Sequence, residues 1–561
     1  MCQVVTRENE EEAVAIIEAA WVELRRITIS DGPLFIPEVS EEEAQRRSEV
    51  GRHLENRIAH LYTECLSPSL AGAVSVAEYH ARRWSHEARG YWTAFECGGW
   101  FKSMFAPTGD ALGRLVNDAL EMLSRTVVSS PEEAEAYLCA LAGLARVVGQ
   151  LSERTSGQAA RGIYMPRRLY PSALDLMRGL RRKAAHLRPS GMDFRERSSF
   201  ERHLADHLRE IDRAFASFEN AMGNDYLRAC SAEVGIGQYP TGEETYRELV
   251  YQNTTLAHAP EEIHRMGLEE VQVIFARMKE LSVSEGFVGD VTAYRASLDA
   301  DPRWRATSAA EIEALFQRYI GRVRKVARSF FHDGDLPRAG YDAAPLPSHL
   351  EGTMPYGYYD QPRPGRWKGA YLFNASNLLR RSLIDVAAFT YHELVPGHHV
   401  HFASQLENRD LHPLQKATFC NGFNEGWAEY GRRLAEDAGL YNDPAEVFGG
   451  LLNDMRQATR LVVDTGMNVF GWSADRARDY LVKYSLIPVA EVDALINWYA
   501  CEIPAQSLSY SLCRSEMLRL RDEARDRLGS RFDIRDFHHA VLSSGGRPLA
   551  AVKDDVERRL S

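Results

Sequence analysis

Four of the chain's eighteen histidines fall within ten residues, in Tyr391-His392-Glu393-Leu394-Val395-Pro396-Gly397-His398-His399-Val400-His401. Neutral imidazole is the commonest zinc ligand, and a glutamate beside it can act as base on metal-bound water. The cluster therefore predicts a metal site with hydrolytic chemistry, in preference to surface histidines at a helix end.

Its spacing departs from the usual zinc-peptidase helix. HExxH sets two histidines four residues apart, about 400° around a helix, so both face one way. Here the fourth residue after His392 is Pro396. On an uninterrupted helix His398 would stand about 240° round from His392, and His399, though near the same face, about 10 Å along the axis. Two nitrogens on one zinc lie at most about 4 Å apart, given bonds of about 2.0–2.1 Å, so no straight helix joins either pair. Pro396 cannot donate to the His392 carbonyl, and Gly397 admits unusual torsions. A break is expected between Glu393 and His398, where it brings the histidines together.

A third ligand is expected from a following helix, in Phe419-Cys420-Asn421-Gly422-Phe423-Asn424-Glu425-Gly426-Trp427-Ala428-Glu429-Tyr430. Glu425 and Glu429 are four apart and share a face, so spacing alone leaves the choice open. Glu429 is expected to be a solvated helix acid, because Arg432 and Arg433 offer surface partners.

Helices must position these groups. In PEEIHRMGLEEVQVIFARMKEL the apolar residues recur at three- and four-residue intervals, and Pro260 with two glutamates opens the helix. EEAEAYLCALAGLARVVGQL and SADRARDYLVKY read the same way. The stretch from Pro345 to Asn374 is rich in Pro, Gly and aromatics and ends in AYLFN, which predicts loops and a small sheet. A change of pattern between Asn224 and Tyr251 suggests two lobes within one integrated unit. These are a mainly helical N-terminal lobe, 1–240, and a metal-binding catalytic lobe, 241–561.

HELVPGHHVHF followed by NEGWAEYGRRLAEDAGLY resembles a large bacterial family called domain of unknown function 885, grouped with the gluzincin-like metallopeptidases. The resemblance covers roughly residues 130 to 560 and extends to RLVVDTGMNVFGWSADRARDYL, IPAQSLSY and FDIRDFHHAVLSSGGRPL. The paired HExxPGHH and EGWAxY motifs carry it. By position it implies zinc held by His392, His398 and Glu425, with Glu393 as general base. His398 is preferred because Gly397-His398-x-x-His401 looks like the GHxxH end of the helical oligopeptidase motif HExGHxxH with two residues inserted; His399 is the reserve ligand. The implied fold is mainly α, two lobes around a deep cleft, with a short edge strand beside the active helix to hold an extended substrate. AYLFN is that strand, and Asn374 faces the cleft. Tyr510 in SLSY is the candidate oxyanion donor. Arg456, Arg460 and Asp464 match a further family block, and Arg460 with Asp464, four apart, is expected to form a structural salt bridge.

The chain also departs from its relatives, which commonly carry His in place of Asn468, Arg in place of Tyr499 and Lys in place of Ser511. Each change removes a group that can be cationic, and Arg and Lys are the natural partners of a terminal carboxylate. The expected substrate therefore presents a neutral or modified group to Asn468, Tyr499 and Ser511.

Composition bounds the remaining choices. The 561 residues are 45% hydrophobic and 26% charged, a globular balance that excludes a disordered or disulfide-stapled chain. A net charge of −12 without a basic stripe speaks against nucleic acid. Eight scattered cysteines without CxxC fit a reducing compartment. The start MCQVVTRENEEEAVAIIEAAW lacks the basic and apolar regions of a signal peptide, and no apolar run is long enough to span a bilayer. The expected location is cytoplasmic, with no membrane partner. GxGxxG, Walker and GxSxG motifs are absent. The expected activity is zinc-dependent hydrolysis of an amide bond in a peptide or peptide-like small molecule. One alternative is a same-fold metal enzyme of specialised metabolism acting on a modified amino acid or acyl amine, with or without net hydrolysis. Another is a metal-less scaffold, against which the retained base Glu393 argues.

Overall fold

A computed structural model describes residues 2–28, 34–97, 101–191, 197–348, 351, 356–363, 365–378 and 381–560. The chain is 70% helical, a mainly α fold. Its sheets are small. Part of the expected loop-and-sheet stretch, at 349–350, 352–355 and 364, lies outside the described residues.

The helices begin where the sequence signals them. Helix α1, Pro260–Ser284, has Pro at its start and buries Ile263, Val271, Ile274 and Met278 along one stripe, as a period near 3.6 requires. The Tyr137 segment lies in the helix Pro131–Ala160, and Ser473 caps the helix Ala474–Ser485 by accepting from the amide of Arg476.

Among the described residues three strands follow α1. They are β1 (Gly340–Pro345), β2 (Gly357–Asp360) and β3 (Lys368–Phe373). The sheet order is β1-β3-β2, with β1 parallel and β2 antiparallel to β3. The expected strand AYLFN exists, but it is the central strand and not an edge. Both of its backbone edges are already paired, so it has no free ladder to offer a substrate.

Five helices then build the site: α2 (Val386–Glu393), α3 (His398–Glu407), α4 (Asn421–Asp437), α5 (Pro444–Asn468) and α6 (Ser509–Leu528). Helix α5 runs along α1, α6 runs along α4, and α2 touches both α4 and α5. Almost every residue of α5 is buried, as expected for a helix with neighbours on all sides. The largest apolar core draws on residues from Ile36 to Leu512, and thus on both sides of residue 240. A second core, with Tyr391, Leu394, Val400, Phe423, Trp427 and Tyr430, encloses the backbone that carries the clustered histidines. No helix of the described residues is long and apolar enough to cross a membrane.

Candidate metal centre

Helix α2 stops at Glu393 and α3 starts at His398. Leu394 (φ −107, ψ −116) and Gly397 (φ −79, ψ −128) leave the helical region between them, and the Val395–Pro396 peptide is cis. Gly397 is needed for contact, because a Cβ there would lie 1.8 Å from the His392 carbonyl oxygen. From α4, Trp427 Nε1 donates to the Pro396 carbonyl at 3.0 Å. The break is thus held from outside by a buried indole.

That break brings His392 and His398 together, with ring centroids 4.7 Å apart. Glu425 Oε2 lies 3.5 Å from Nε2 of His392 and 3.5 Å from Nε2 of His398. Tetrahedral bonds of about 2.0–2.1 Å place ligand atoms about 3.3–3.4 Å apart, so Glu425 Oε2 stands from each histidine nitrogen at about the distance that two ligands of one ion keep. Glu425 Oε2 is also buried without a hydrogen-bond partner, a condition that costs free energy unless something else occupies it. Two imidazoles and a carboxylate are a donor set that suits zinc.

Glu393 contributes a further oxygen, within 4.8 Å of ligand nitrogens of His392 and His398. It is only half-buried, whereas Glu425 is 8% exposed. Burial pushes the Glu393 carboxyl up, against the opposing charges of His392 and His398. Burial also works against the Glu425 carboxylate, but His398 and His392 hold it at about 2. Of the two, Glu425 is the carboxylate held ionised, and Glu393 is the one whose affinity for a proton is raised.

The histidines are oriented from behind. Glu429 Oε1 lies 3.0 Å from Nδ1 of His392, and His398 Nδ1 lies 2.9 Å from His401 Nε2. Burial pushes His392 down, but Glu425 and Glu429 hold it up, at about 10. Glu429 is not the solvated acid expected from its arginine neighbours. It is fully buried, 2.9 Å from Nε of a fully buried Arg432, and it accepts from Asn453 Nδ2 at 3.1 Å. Arg432 in turn pairs with Asp454, which Arg514 joins at 2.8 Å. The signal available in sequence was Glu429 sharing a helix face with Glu425.

His399 is turned away. Its Nε2 faces the Ala339 carbonyl at 3.1 Å and its Nδ1 faces the Tyr359 hydroxyl at 2.8 Å. A carbonyl only accepts, so Nε2 carries the proton and Nδ1 accepts from Tyr359. Both ring nitrogens are used, and His398 is the histidine of the pair that meets His392.

The other singled-out residues divide. Tyr510 stacks near His392, with centroids 6.3 Å apart and planes 18° apart, and it remains partly exposed. Asn374 caps its own turn, donating to the Glu351 carbonyl at 2.8 Å and accepting from the Ser376 amide at 2.7 Å. Asn468 lies in the interior, where it accepts from the Ile236 amide and donates to the Asp464 and Tyr499 carbonyls. Ser511 is fully buried and donates to Glu270 at 2.5 Å. Tyr499 is 2% exposed, beside Arg460. The expected Arg460–Asp464 salt bridge is not formed. Asp464 accepts instead from Tyr246 and Ser507 hydroxyls, each at 2.7 Å, and from the Ala505 amide at 3.1 Å.

The chain belongs to the family described as bacterial protein of unknown function (DUF885), whose profile matches residues 35–556. No curated protein matches it. Two solved structures share its fold from end to end. One is of "the putative lipoprotein from Colwellia psychrerythraea", with a TM-score of 0.82, 22% identity and 99% of each chain covered. The other is of "a putative lipoprotein of unknown function from Shewanella oneidensis", with a TM-score of 0.72, 13% identity and 98% of each chain covered. Lipoprotein descriptions on both neighbours overturn the cytoplasmic expectation, which had rested on the acidic first residues and the scattered cysteines.

Proposed function

We propose that this member of the family is a zinc-dependent hydrolase that cleaves an amide bond in a peptide or peptide-like small molecule. The supporting observation is the unpartnered Glu425 Oε2 lying 3.5 Å from both His392 Nε2 and His398 Nε2, beside the half-buried Glu393. Glu425, His392 and His398 would hold the ion. Bound zinc would supply Lewis-acid polarisation of the scissile carbonyl and a lowered pKa for water.

The chain's own groups do the rest. Glu393, raised by burial, is suited to take a proton from the attacking water and pass it to the leaving nitrogen. Tyr510, partly open and stacked beside His392, is placed to donate to the oxyanion, and burial, with the Glu425 charge adding to it, keeps its hydroxyl protonated. Glu429 lies 3.0 Å from the far nitrogen of His392, where a carboxylate would support the ring as a ligand. The lipoprotein descriptions of the two structural neighbours favour a membrane-anchored or secreted setting for this chemistry.

The test is product formation from a library of short peptides and acyl amino acids, run with zinc and with chelator. Metal analysis should find about one zinc per chain, since one such cluster is found among the described residues. Metal-independent turnover, or protein that binds no zinc, would reject the reading.

A further inference from the structure

Arg460 is a buried cation that the proposed chemistry leaves unused. It is 8% exposed, and its Nε is buried without a hydrogen-bond partner. Among the described residues no carboxylate forms an ion pair with it. Asp464, one turn further along α5, already accepts from Tyr246, Ser507, Ala505 and Asn468. Arg456, one turn earlier on the same face, has Asp385 at 3.3 Å. Arg456 is thereby ion-paired, whereas Arg460 is not.

Aromatic rings cover Arg460 without neutralising it. Its guanidinium carbon lies 4.6 Å from the Tyr510 ring centre and 5.7 Å from that of Tyr499. Ring faces attract a cation, but they accept few of the five N–H bonds a guanidinium offers. A buried unpaired charge is expensive to keep, so its retention calls for a partner the chain itself does not provide.

Position indicates that partner. Tyr510 neighbours both Arg460 and the candidate metal centre, its ring 6.3 Å from that of His392 and 4.6 Å from the Arg460 guanidinium carbon. Those two steps together are at most the length of about three extended residues, at roughly 3.3–3.6 Å each. A substrate whose scissile carbonyl lies at the histidines would bring a group one or two residues further along to Arg460. Arginine is the side chain that grips a carboxylate bidentately.

We propose that Arg460 is a specificity-determining residue that receives a free carboxylate of the substrate, one or two residues beyond the scissile amide. The substrate class is then an acyl amino acid or short peptide with an unmodified C-terminus. This rests on the hydrolase reading for the position of the scissile bond. It also replaces the expectation of a neutral substrate end, because Asn468 and Ser511, two of the three residues behind that expectation, are engaged in the interior.

Calorimetric titration of the full chain with acetyl-alanine, acetyl-leucine and acetyl-phenylalanine, each against its C-terminal amide, tests the inference without turnover. Chelator-treated protein should bind at least one acid about tenfold or more tightly than its amide, and the zinc-loaded protein should do the same. Arg460→Gln should bring the ratio close to one, and Arg460→Lys, which keeps the charge but not the fork, should fall between. If Arg460→Gln does not fold, Arg460→Lys decides, with a reduced ratio expected. Equal binding of acid and amide by the unaltered protein, no binding of either, or a preference that survives substitution overturns the inference. Acid preference without zinc-dependent products would leave Arg460 as the carboxylate-binding residue and remove the hydrolase reading. Zinc-dependent hydrolysis without acid preference would do the reverse.

Discussion

Glu429 stands 3.0 Å from Nδ1 of His392, the imidazole nitrogen directed away from Glu425. A carboxylate at this position sets the tautomer and raises the basicity of a metal-binding histidine, and its loss typically costs about 10–100-fold in metal affinity. Glu429→Gln is therefore expected to weaken zinc binding by about that factor in a chelator competition. An unchanged affinity would show that His392 is held by other means.

Glu393 is expected to act on the proton and not on the metal. Glu393→Gln should retain about one zinc per chain while activity falls about 10²–10⁴-fold, the usual range for a general base. Full activity in that variant would sink the assignment. Loss of zinc would instead make Glu393 a ligand, a role its proximity to both histidine nitrogens makes worth testing.

The neighbouring histidines should behave differently. His398→Ala is expected to abolish zinc retention, because it removes one of three ligands. His399→Gln should keep zinc, since both nitrogens of His399 are engaged by Ala339 and Tyr359. Equal zinc loss in the two variants would contradict the division.

Gly397→Ala should destabilise the chain and the metal site together. The new methyl would meet the His392 carbonyl oxygen at 1.8 Å, a clash with backbone that cannot be relieved by a rotamer change. Overpacking of this kind costs about 1–3 kcal/mol or more. Urea unfolding should show a lower midpoint, and zinc content should fall. A variant with both unchanged would mean that the helix break can widen freely.

Stability should fall as the pH drops below about 6.5. His538 is buried, its Nδ1 facing the Phe330 carbonyl and its Nε2 the Tyr430 hydroxyl, and burial lowers its pKa from 6.5 to about 4. Between those values the unfolded chain takes up a proton that the folded chain does not, so the stability present above pH 6.5 is lost progressively on acidification. His80, lowered by burial to about 3, adds in the same direction. The effect of His538 is on the order of 3 kcal/mol over the full window. Thermal unfolding from pH 7 to 5 should show the slope, and His538→Gln should flatten it. A flat profile would falsify the neutral, buried assignment.

Local chemistry in the sequence was sufficient for the break between His392 and His398. Pro396 and Gly397 sit between His392 and His398, and the torsions and the missing N–H that they impose act within a few residues. The mainly α architecture was legible for a similar reason, since apolar periodicity and the start signal at Pro260 are local properties. What each polar side chain meets is decided by elements far away in the chain. Glu429 read as a solvated acid because Arg432 and Arg433 follow it, yet His392 of α2 and Asn453 and Gln457 of α5 reach it, and it is fully buried. AYLFN read correctly as a strand, but β1 and β2 flank it on both sides, and pairing order is a property of the sheet and not of the strand. Arg460 and Asp464 have the spacing of an ion pair, but Tyr246, Ser507 and Ala505 reach Asp464 from other parts of the chain and leave the arginine unmatched. Torsional and periodic constraints are short-ranged and can be read from sequence, whereas burial and hydrogen-bond competition depend on which surfaces tertiary packing brings together.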